Sequence, residues 1–361
     1  MIQIFRKWMD HYFADEEAVT LLVLLLLGLL VVVYAGHFLA PILASVIIAY
    51  LLQGMVARLE QYMPHIAAVS IASLVFVGGV LAAFLLALPI IGRQLSALVS
   101  ELPKIALKLQ SFLIELQQSY PAVLSEAQVH DLITLATQKA GAFGQSVLSF
   151  SLASLPNLFA ILVYGVLIPI LVFFFLKDKD QLLKWFSSFL PEERPLMRAI
   201  WQEMNVQVAN YARGKAVEIV VVGVTSYIAF SWMDLNYAAL LALLVGLSVI
   251  IPYIGATAVT IPVALIAYFQ WGMTEHFGYL MLAYGIIQFL DGNVLVPLLF
   301  SEAVNMHPVA IIVAVLFFGG IWGLWGVFFA IPLATLIKAL LVAWPRGRQS
   351  VVTVAEETGA L

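Results

Sequence analysis

The stretch from residue 18 to residue 35, AVTLLVLLLLGLLVVVYA, contains no charged side chain. An α-helix of that length extends about 27 Å, close to the roughly 30 Å hydrocarbon thickness of a bilayer. Similar uncharged runs occupy residues 66–92, 158–176 and 219–233. In water these runs would expose far too much apolar surface, and they lack the alternating pattern of barrel strands. The sequence therefore predicts an all-α, polytopic integral membrane protein.

The overall composition agrees with this prediction. Only 11% of the 361 residues are charged and the mean hydropathy is +1.03, whereas a soluble domain carries about 25% charged residues. The first run continues as YAGHFLAP, without a small-residue cleavage site, so we expect it to be retained as a helix. The chain has no cysteine, which excludes disulfides, thiolate metal sites and cysteine nucleophiles.

The predicted chain has four parts. These are residues 1–92 with an interfacial N-terminal helix and spans one to three, residues 93–150 outside the membrane, residues 151–344 with spans four to eight and a cytosolic amphipathic segment at 177–216, and residues 345–361 as a disordered cytosolic tail. Apolar segments lie near residues 18–35, 38–57, 66–91, 155–176, 217–233, 239–258, 259–273, 277–297 and 309–343. An even number of them, nominally eight, crosses the membrane. The sequence leaves open whether 239–273 and 309–343 cross fully or fold back.

Residues 93–150 show a different pattern. Apolar residues recur at alternating spacings of three and four, at Leu95, Leu98, Leu102, Ile105, Leu109, Phe112 and Leu116. This heptad seam, followed by a second helical pattern after Pro121, predicts a helical hairpin outside the hydrocarbon. The alternative is a long amphipathic helix that lies on the lipid. Pro103 fits the seam if it lies near the first turn of a helix.

Basic residues predict the orientation of the spans. Residues 177–215 contain seven of the seventeen Lys and Arg residues, and the C-terminal region adds Lys338, Arg346 and Arg348. Short loops rich in Lys and Arg stay in the cytoplasm. We therefore expect both termini to be cytoplasmic and residues 93–150 to lie on the opposite side of the membrane.

Several catalytic and nucleotide-binding motifs are absent from the sequence. It has no G-x-x-x-x-G-K-[ST] phosphate loop, no H-E-x-x-H zinc motif and no G-x-S-x-G nucleophile elbow. We expect no enzymatic activity, no cofactor, no metal centre and no nucleic-acid partner. Passive passage or transport driven by a gradient fits better than a pump with its own ATPase.

The polar stretch QFLDGNVLVPLLFSEAVNMHP, residues 288–308, lies between two strongly apolar runs. An ionised group at the bilayer centre costs about 2.5–3.5 kcal/mol on insertion scales, so Asp291 is the first candidate for a proton- or substrate-binding acid. We expect Gln288 and Asn293 to line the same path, in a span broken by Gly292 and Pro297. Between Ala216 and Ile337 the chain has no Lys or Arg but has the acids Glu218, Asp234, Glu275, Asp291 and Glu302.

Two further stretches contribute candidate residues to the solute or ion path. In NYARGKAVEI, residues 210–219, an anion or gate site can use Asn210, Arg213, Lys215 and Glu218; the alternative is snorkelling of the basic side chains at the interface. In VIIPYIGATAVTIP, residues 249–262, proline frees backbone carbonyls, so Pro252 and Tyr253 can line a cavity; the alternative is a simple kink.

Six motifs along the chain form a recognisable series: LAPILASVIIAYLL (39–52), FFFLKDKD (173–180), NYARGKA (210–216), IPYIGA (251–256), DGNVLVPLLFSEAVNMHP (291–308) and GGIWGLWGVFFAIPLA (319–334). Taken in order, they resemble the motifs of the autoinducer-2 exporter (AI-2E) family, in particular its PerM-type permease branch. The resemblance implies a bacterial inner-membrane location, about eight helices with an extra-membrane segment between spans three and four, and a homo-oligomer, with a pentamer among the options.

Three functions remain open at this point. The favoured one is a secondary transporter or exporter of a small hydrophilic solute. The second is a Na⁺(Li⁺)/H⁺ antiporter with Asp291 and Glu302 as cation ligands. The third is a scaffold without transport activity that binds partners through residues 93–150. The resemblance implies export in some family members and cation/proton antiport in others.

Overall fold

The computed structural model describes residues 16–119, 126–152, 155–252, 254–300 and 306–343. Within those ranges the protein is helical and contains no strand, which confirms the all-α prediction. Seven stretches of the described residues are long and apolar enough to cross a membrane. The helices are α1 (Glu16–Leu59), α2 (His65–Ser119), α3 (Glu126–Leu152), α4 (Leu155–Lys177), α5 (Lys179–Ser187), α6 (Pro195–Trp232), α7 (Ala238–Ser248), α8 (Ile254–Trp271), α9 (Glu275–Leu290), α10 (Val296–Phe300) and α11 (Pro308–Ala343).

The contacts divide the chain into two compact units. The first unit contains the described residues of Met1–Gly54, Phe174–Gly214 and Phe300–Leu361. The second unit contains those of Met55–Phe173 and Lys215–Leu299. Residues 1–15 and 345–361, for which the sequence predicts an interfacial helix and a disordered tail, lie outside the described residues.

In the first unit, α1 does not run straight. The Glu17 carboxylate accepts a hydrogen bond from the Met197 backbone N–H at 2.7 Å, and the Tyr50 hydroxyl donates to Asn205 at 2.6 Å. Residues 197 and 205 lie about 12 Å apart along α6, whereas Glu17 and Tyr50 would lie about 50 Å apart in a straight helix. Helix α1 therefore turns back, and its two apolar stretches, Val19–Gly36 and Phe38–Leu59, fit the two predicted spans.

Helix α11, also in the first unit, folds back at its glycines. Gly323 has a φ of 60° and a non-helical conformation. A Cβ on Gly326 would collide with the backbone carbonyl of Phe318, although a straight helix would separate these residues by about 12 Å. Of the two arrangements that the sequence left open for 309–343, the structure therefore has the hairpin, with GGIWGLWG at its turn.

The cytosolic segment predicted at 177–216 contains two helices. Helix α5 ends at Ser187 and α6 begins at Pro195, so the intervening LPEERP sequence interrupts the helices as expected. Proline suits the first position of a helix because the backbone N–H there has no intrahelical partner. Helix α6 then continues without interruption through Gly214 into the apolar span that ends at Trp232.

In the second unit, α2 is one helix of 55 residues. Its first half contains the third predicted span, and its second half contains the heptad seam. Pro103 lies in the interior of α2, so it does not lie near a first turn, where a proline would fit the seam most easily. Helix α3 packs against α2 and forms the second arm of the hairpin predicted at 93–150.

The segment 239–273 is also divided differently from the predicted spans 239–258 and 259–273. Helix α7 has only 11 residues and ends at Ser248, and α8 begins at Ile254. A Cβ on Gly255 would collide with the Ser248 carbonyl, so α7 and α8 fold back on each other. An 11-residue helix extends about 16 Å, which is half of the hydrocarbon thickness. The predicted boundary was wrong because Pro252 and Gly255 place the turn earlier.

The core of the second unit lies between α6, α7, α8 and α9. Helices α6 and α7 approach so closely that a Cβ on Gly246 would lie 2.9 Å from the Ile219 carbonyl oxygen and 3.0 Å from the Gly223 Cα. Small residues permit such contacts between helices in a membrane. The fully buried side chains around this crossing include Val222, Phe230, Leu241, Val245, Val263, Leu280 and Tyr284.

Candidate functional site

The candidate site lies at a widened turn in the α9–α10 segment. Residues Asp291–Leu295 form a π-helical turn between α9 and α10, and the Val296 N–H donates to the Asp291 carbonyl five residues earlier. Pro297 follows directly and has no N–H for an ordinary helical bond. The sequence predicted a break in the helix here. Instead, the helix accommodates Pro297 because one turn, Asp291–Leu295, widens to a π-helical turn. Such π-turns occur frequently at functional sites.

A buried ion pair on α6 belongs to the same unit. The Lys215 ammonium donates to the Glu218 carboxylate at 2.7 Å, one helical turn away. The Lys215 side chain is 5% exposed and that of Glu218 is 3% exposed. Burial of charged groups is expensive unless they are paired and hydrogen-bonded. A pair of this kind inside a span is therefore a candidate for function.

Asp291 brings a second carboxylate to this pair. It is half-buried and interacts electrostatically with Lys215 and with Glu218. Its Oδ1 atom is buried and lacks a hydrogen-bond partner among the described residues. The cluster of Lys215, Glu218 and Asp291, called the charged triad below, contains two carboxylates and one ammonium. With all three ionised, it has an excess of one negative charge.

A cavity of about 250 Å³ adjoins the charged triad. Asp291 is part of its wall, and Thr225 adds one hydroxyl group. On α6 the lining residues lie three, four and seven residues after Glu218, on the same face of the helix. The opposite wall is the face of the α9–α10 segment that carries Asp291. The other lining residues are Val221, Val222, Ile287, Leu290, Val294, Leu295 and Leu298.

Gln288 and Asn293, which the sequence placed beside Asp291, differ in their surroundings. Gln288 is half-buried one turn before Asp291, and its Nε2 atom has no partner among the described residues. Asn293 is exposed, and its side-chain amide donates to the Phe289 carbonyl at 2.9 Å. That bond uses one of its two N–H donors on the helix backbone, and Asn293 is not among the residues that line the cavity.

The remaining predicted path residues are not part of the charged triad. Arg213 is exposed and Asn210 is half-buried, both on α6. The Pro252 carbonyl accepts from the Ile254 N–H at 2.7 Å in the turn before α8. Tyr253 and Glu302 lie outside the described residues. Their proposed roles in transport stay predictions.

Sequence reasoning missed a polar stripe on α2, formed by Gln94, Glu101 and Lys108 at intervals of seven. Gln94 accepts from the Leu240 N–H, Glu101 accepts from the Tyr237 hydroxyl, and Lys108 donates to the Phe269 carbonyl, each at 2.8 Å. The seven-residue spacing was visible in the sequence, but the partners were not. The stripe joins the predicted hairpin to the start of α7 and to the end of α8.

Tyr237, which donates to Glu101, ends a loop with an unusual backbone conformation. Tyr237 has a φ of 60° and Asp234 a φ of 53°, values that bulky residues adopt rarely. Gln270 holds the loop by accepting from the Asn236 N–H at 2.8 Å and donating to the Asp234 carbonyl at 2.6 Å. Burial, with a further contribution from the Glu101 carboxylate, raises the pKa of Tyr237 to about 12.

Comparison with known proteins assigns the chain to a family. The model of the AI-2E family transporters matches residues 20–346. PerM of Escherichia coli (strain K12), whose name describes it as a permease, is 46% identical over 96% of this chain and 99% of its own length. YueF of Bacillus subtilis (strain 168), whose name describes it as a transport protein, is 26% identical over 86% of this chain and 85% of its own length. The family match and the near-full-length similarity agree with the helical membrane architecture, and the chain therefore belongs to the AI-2E family of transporters.

Proposed function

We propose that this family member is a gradient-driven secondary transporter that exports a small polar solute across the bacterial inner membrane. The observation that carries the proposal is the position of Asp291, in the wall of a cavity and beside a buried ion pair. A carboxylate in apolar surroundings has a strong tendency to take up a proton or a cation. Asp291 would thus couple solute movement to an ion gradient.

The roles of the charged triad follow from its geometry. Lys215 and Glu218 lie one turn apart on α6 and are paired inside the span. The Lys215 charge therefore limits the repulsion between Glu218 and Asp291. When Asp291 gains or loses a proton, the net charge of the triad changes by one. Thr225 offers the cavity one hydroxyl group that can orient a solute. Arg213, Asn210 and Gln288 remain proposed contributors along the path.

We predict that Asp291→Asn abolishes export while the protein remains folded. The measurement compares solute pools in cells and in the medium by mass spectrometry, for cells that express wild type or variant at equal membrane levels. A solute that wild type moves into the medium should stay inside with the variant. Glu275→Gln is the matched control, because Glu275 is an exposed acid in the first turn of α9, the helix that leads into the turn with Asp291. Wild-type export by Asp291→Asn would contradict the role of Asp291.

Sodium (lithium)/proton antiport is the second candidate, and it would use the same carboxylate. Hard cations prefer several oxygen ligands, and the cavity wall supplies the Asp291 carboxylate and the Thr225 hydroxyl. No group of three or more metal-binding side chains occurs in the described ranges. In everted vesicles, addition of Na⁺ or Li⁺ should dequench a pH-sensitive dye if this candidate is correct.

Assembly and partner binding are further proposals. The apolar surface of the spans would contact the lipid bilayer and neighbouring copies in a homo-oligomer, with a pentamer among the options; native mass spectrometry measures the copy number. The scaffold alternative assigns partner binding to residues 93–150. The bonds from Gln94, Glu101 and Lys108 tie that region to the α7–α8 pair, which supports a role inside the transporter instead.

A further inference from the structure

The chemistry of the cavity wall restricts the occupant. Apart from Asp291 and Thr225, every lining residue in the described part of the chain has an aliphatic side chain. A solute with several hydroxyl groups would leave most of them without partners, at a cost of about 1–3 kcal/mol for each unsatisfied group. A solute with a hydrocarbon body would instead gain about 25 cal/mol for each Å² of apolar surface removed from water.

The charge of the site restricts the occupant further. The Lys215 ammonium already bonds Glu218, so an ionised Asp291 gives the triad an excess of one negative charge. The Asp291 Oδ1 atom is buried and lacks a hydrogen-bond partner within the described part of the chain. One positive charge on the occupant would therefore complete the neutralisation of the triad.

We propose that the cavity binds an organic monocation with an apolar body, whose charge pairs with Asp291 and whose hydrocarbon contacts α6 and the α9–α10 segment. The inference rests on the proposed transport function in one respect: it treats this cavity as part of the transport path. It changes the expected hydrophilic solute to one whose polarity resides in a single charged group and whose remainder is hydrocarbon. Val294 and Leu298 are exposed in the cavity wall, so the occupant can enter from the side.

Proton exchange follows from the same geometry. In the empty site a proton on Asp291 removes the cost of an unpaired carboxylate. When the cation enters, the carboxylic O–H bond breaks, the proton passes to water, and the carboxylate pairs with the cation. Among the described residues, Lys215 and Glu218 on α6 are the charged groups that interact electrostatically with Asp291. Helix α8, which packs against α9, contains no charged residue.

The test measures binding to the purified full-length protein in lipid nanodiscs by isothermal titration calorimetry. Three probes separate charge from shape. Benzyltrimethylammonium has one positive charge and an apolar ring, N,N-dimethylbenzamide has a similar size but no charge, and choline has the charge without the apolar ring. We expect the first probe to bind at least tenfold more tightly than the other two. Titration in buffers of different ionisation enthalpy should show protons released as the cation binds.

Two variants and one control give the inference its sharpest test. Asp291→Asn should weaken benzyltrimethylammonium binding at least tenfold and abolish proton release. Val294→Trp should also weaken binding, because the ring fills the cavity while the charged triad remains. Glu275→Gln should bind like wild type. Circular dichroism and size-exclusion profiles show whether each variant has folded.

Several outcomes would overturn the inference. Undetectable binding of benzyltrimethylammonium to wild type would overturn it, and so would equal binding by Asp291→Asn. Equally tight binding of N,N-dimethylbenzamide would show a lipid-like apolar site that does not select charge. Export that depends on Asp291, together with no binding of the cation probe, would sink the inference and leave the proposed transporter standing. Specific cation binding without any export would support the cation site and contradict the proposed transport function.

Discussion

At the scale of single residues, the Lys215–Glu218 pair places two opposite charges in the interior of the second unit. Both side chains are at least nine-tenths buried, and their charged atoms lie 2.7 Å apart. Desolvation of the two charges offsets much of their attraction, so the pair contributes little net stability. Removal of one partner is different, because it leaves the other charge buried and without its principal counterion.

We predict that Lys215→Met lowers the free energy of unfolding by about 3–5 kcal/mol, the usual cost of breaking a buried pair from one side. Glu218 and Asp291 would then repel each other without the ammonium. Thermal unfolding in detergent, followed by intrinsic tryptophan fluorescence, measures the change. The double variant Lys215→Met/Glu218→Leu should unfold at a higher temperature than the single variant. Equal unfolding temperatures for Lys215→Met and wild type would show that the pair is not desolvated.

The sequence predicted part of this site. Asp291 stood out as an acid within an apolar run, and the three-residue spacing of Lys215 and Glu218 suggested a pair. The proximity of Lys215 and Glu218 to Asp291 was not predictable. About 75 residues separate Asp291 from this pair in the sequence, and no local sequence pattern indicates a contact over that distance. The aliphatic cavity wall was missed for a similar reason, since Val221 or Leu298 resembles any other residue of a span.

At the scale of helices, two hairpins depend on glycines that touch a carbonyl on the opposite arm. Gly255 contacts the Ser248 carbonyl between α7 and α8, and Gly326 contacts the Phe318 carbonyl within α11. A side chain at either position would push the two arms apart. The sequence revealed the breaks through Pro252 and GGIWGLWG, but it could not show which glycine makes the contact.

We predict that Gly255→Ala destabilises the protein by about 1–3 kcal/mol, the usual cost of overpacking a close contact. The matched control is Gly285→Ala in α9, where a Cβ would meet no atom within 4 Å. That change should be neutral or stabilise by up to about 1 kcal/mol, because alanine favours helix. Unfolding temperatures of the two variants and of wild type measure the difference. A loss of stability in the control alone would contradict the hairpin contact.

The contact between Tyr237 and Glu101 predicts a dependence of stability on pH. Burial, followed by the Glu101 carboxylate, raises the pKa of the Tyr237 hydroxyl from 10.0 to about 12. The folded protein therefore holds this proton at pH values where the unfolded chain has released it, so stability falls as pH rises from 10.0 towards 12. Unfolding temperatures should decline less steeply over that window in Tyr237→Phe. Glu101→Gln should show an intermediate decline, because burial of the hydroxyl remains.

At the scale of the whole molecule, charge distribution and helix continuity predict the membrane topology. Residues 177–215 contain seven Lys and Arg residues, whereas residues 93–150 contain four basic and four acidic residues. The apolar helices and the fold-back of α1 could be anticipated from hydropathy and loop composition. The continuity of α2 could not, because the change from an apolar run to a heptad seam resembles a boundary between two helices.

The absence of cysteine from the chain permits a direct test of orientation with single introduced cysteines. Lys139 on α3 and Lys184 on α5 are both exposed, so Lys139→Cys and Lys184→Cys should fold normally. In intact spheroplasts, a membrane-impermeant maleimide should label Lys139→Cys and should reach Lys184→Cys only after permeabilisation, because basic loops remain cytoplasmic. The unmodified chain is the blank. Labelling of Lys184→Cys alone in intact spheroplasts would invert the topology and place the hairpin of α2 and α3 in the cytoplasm.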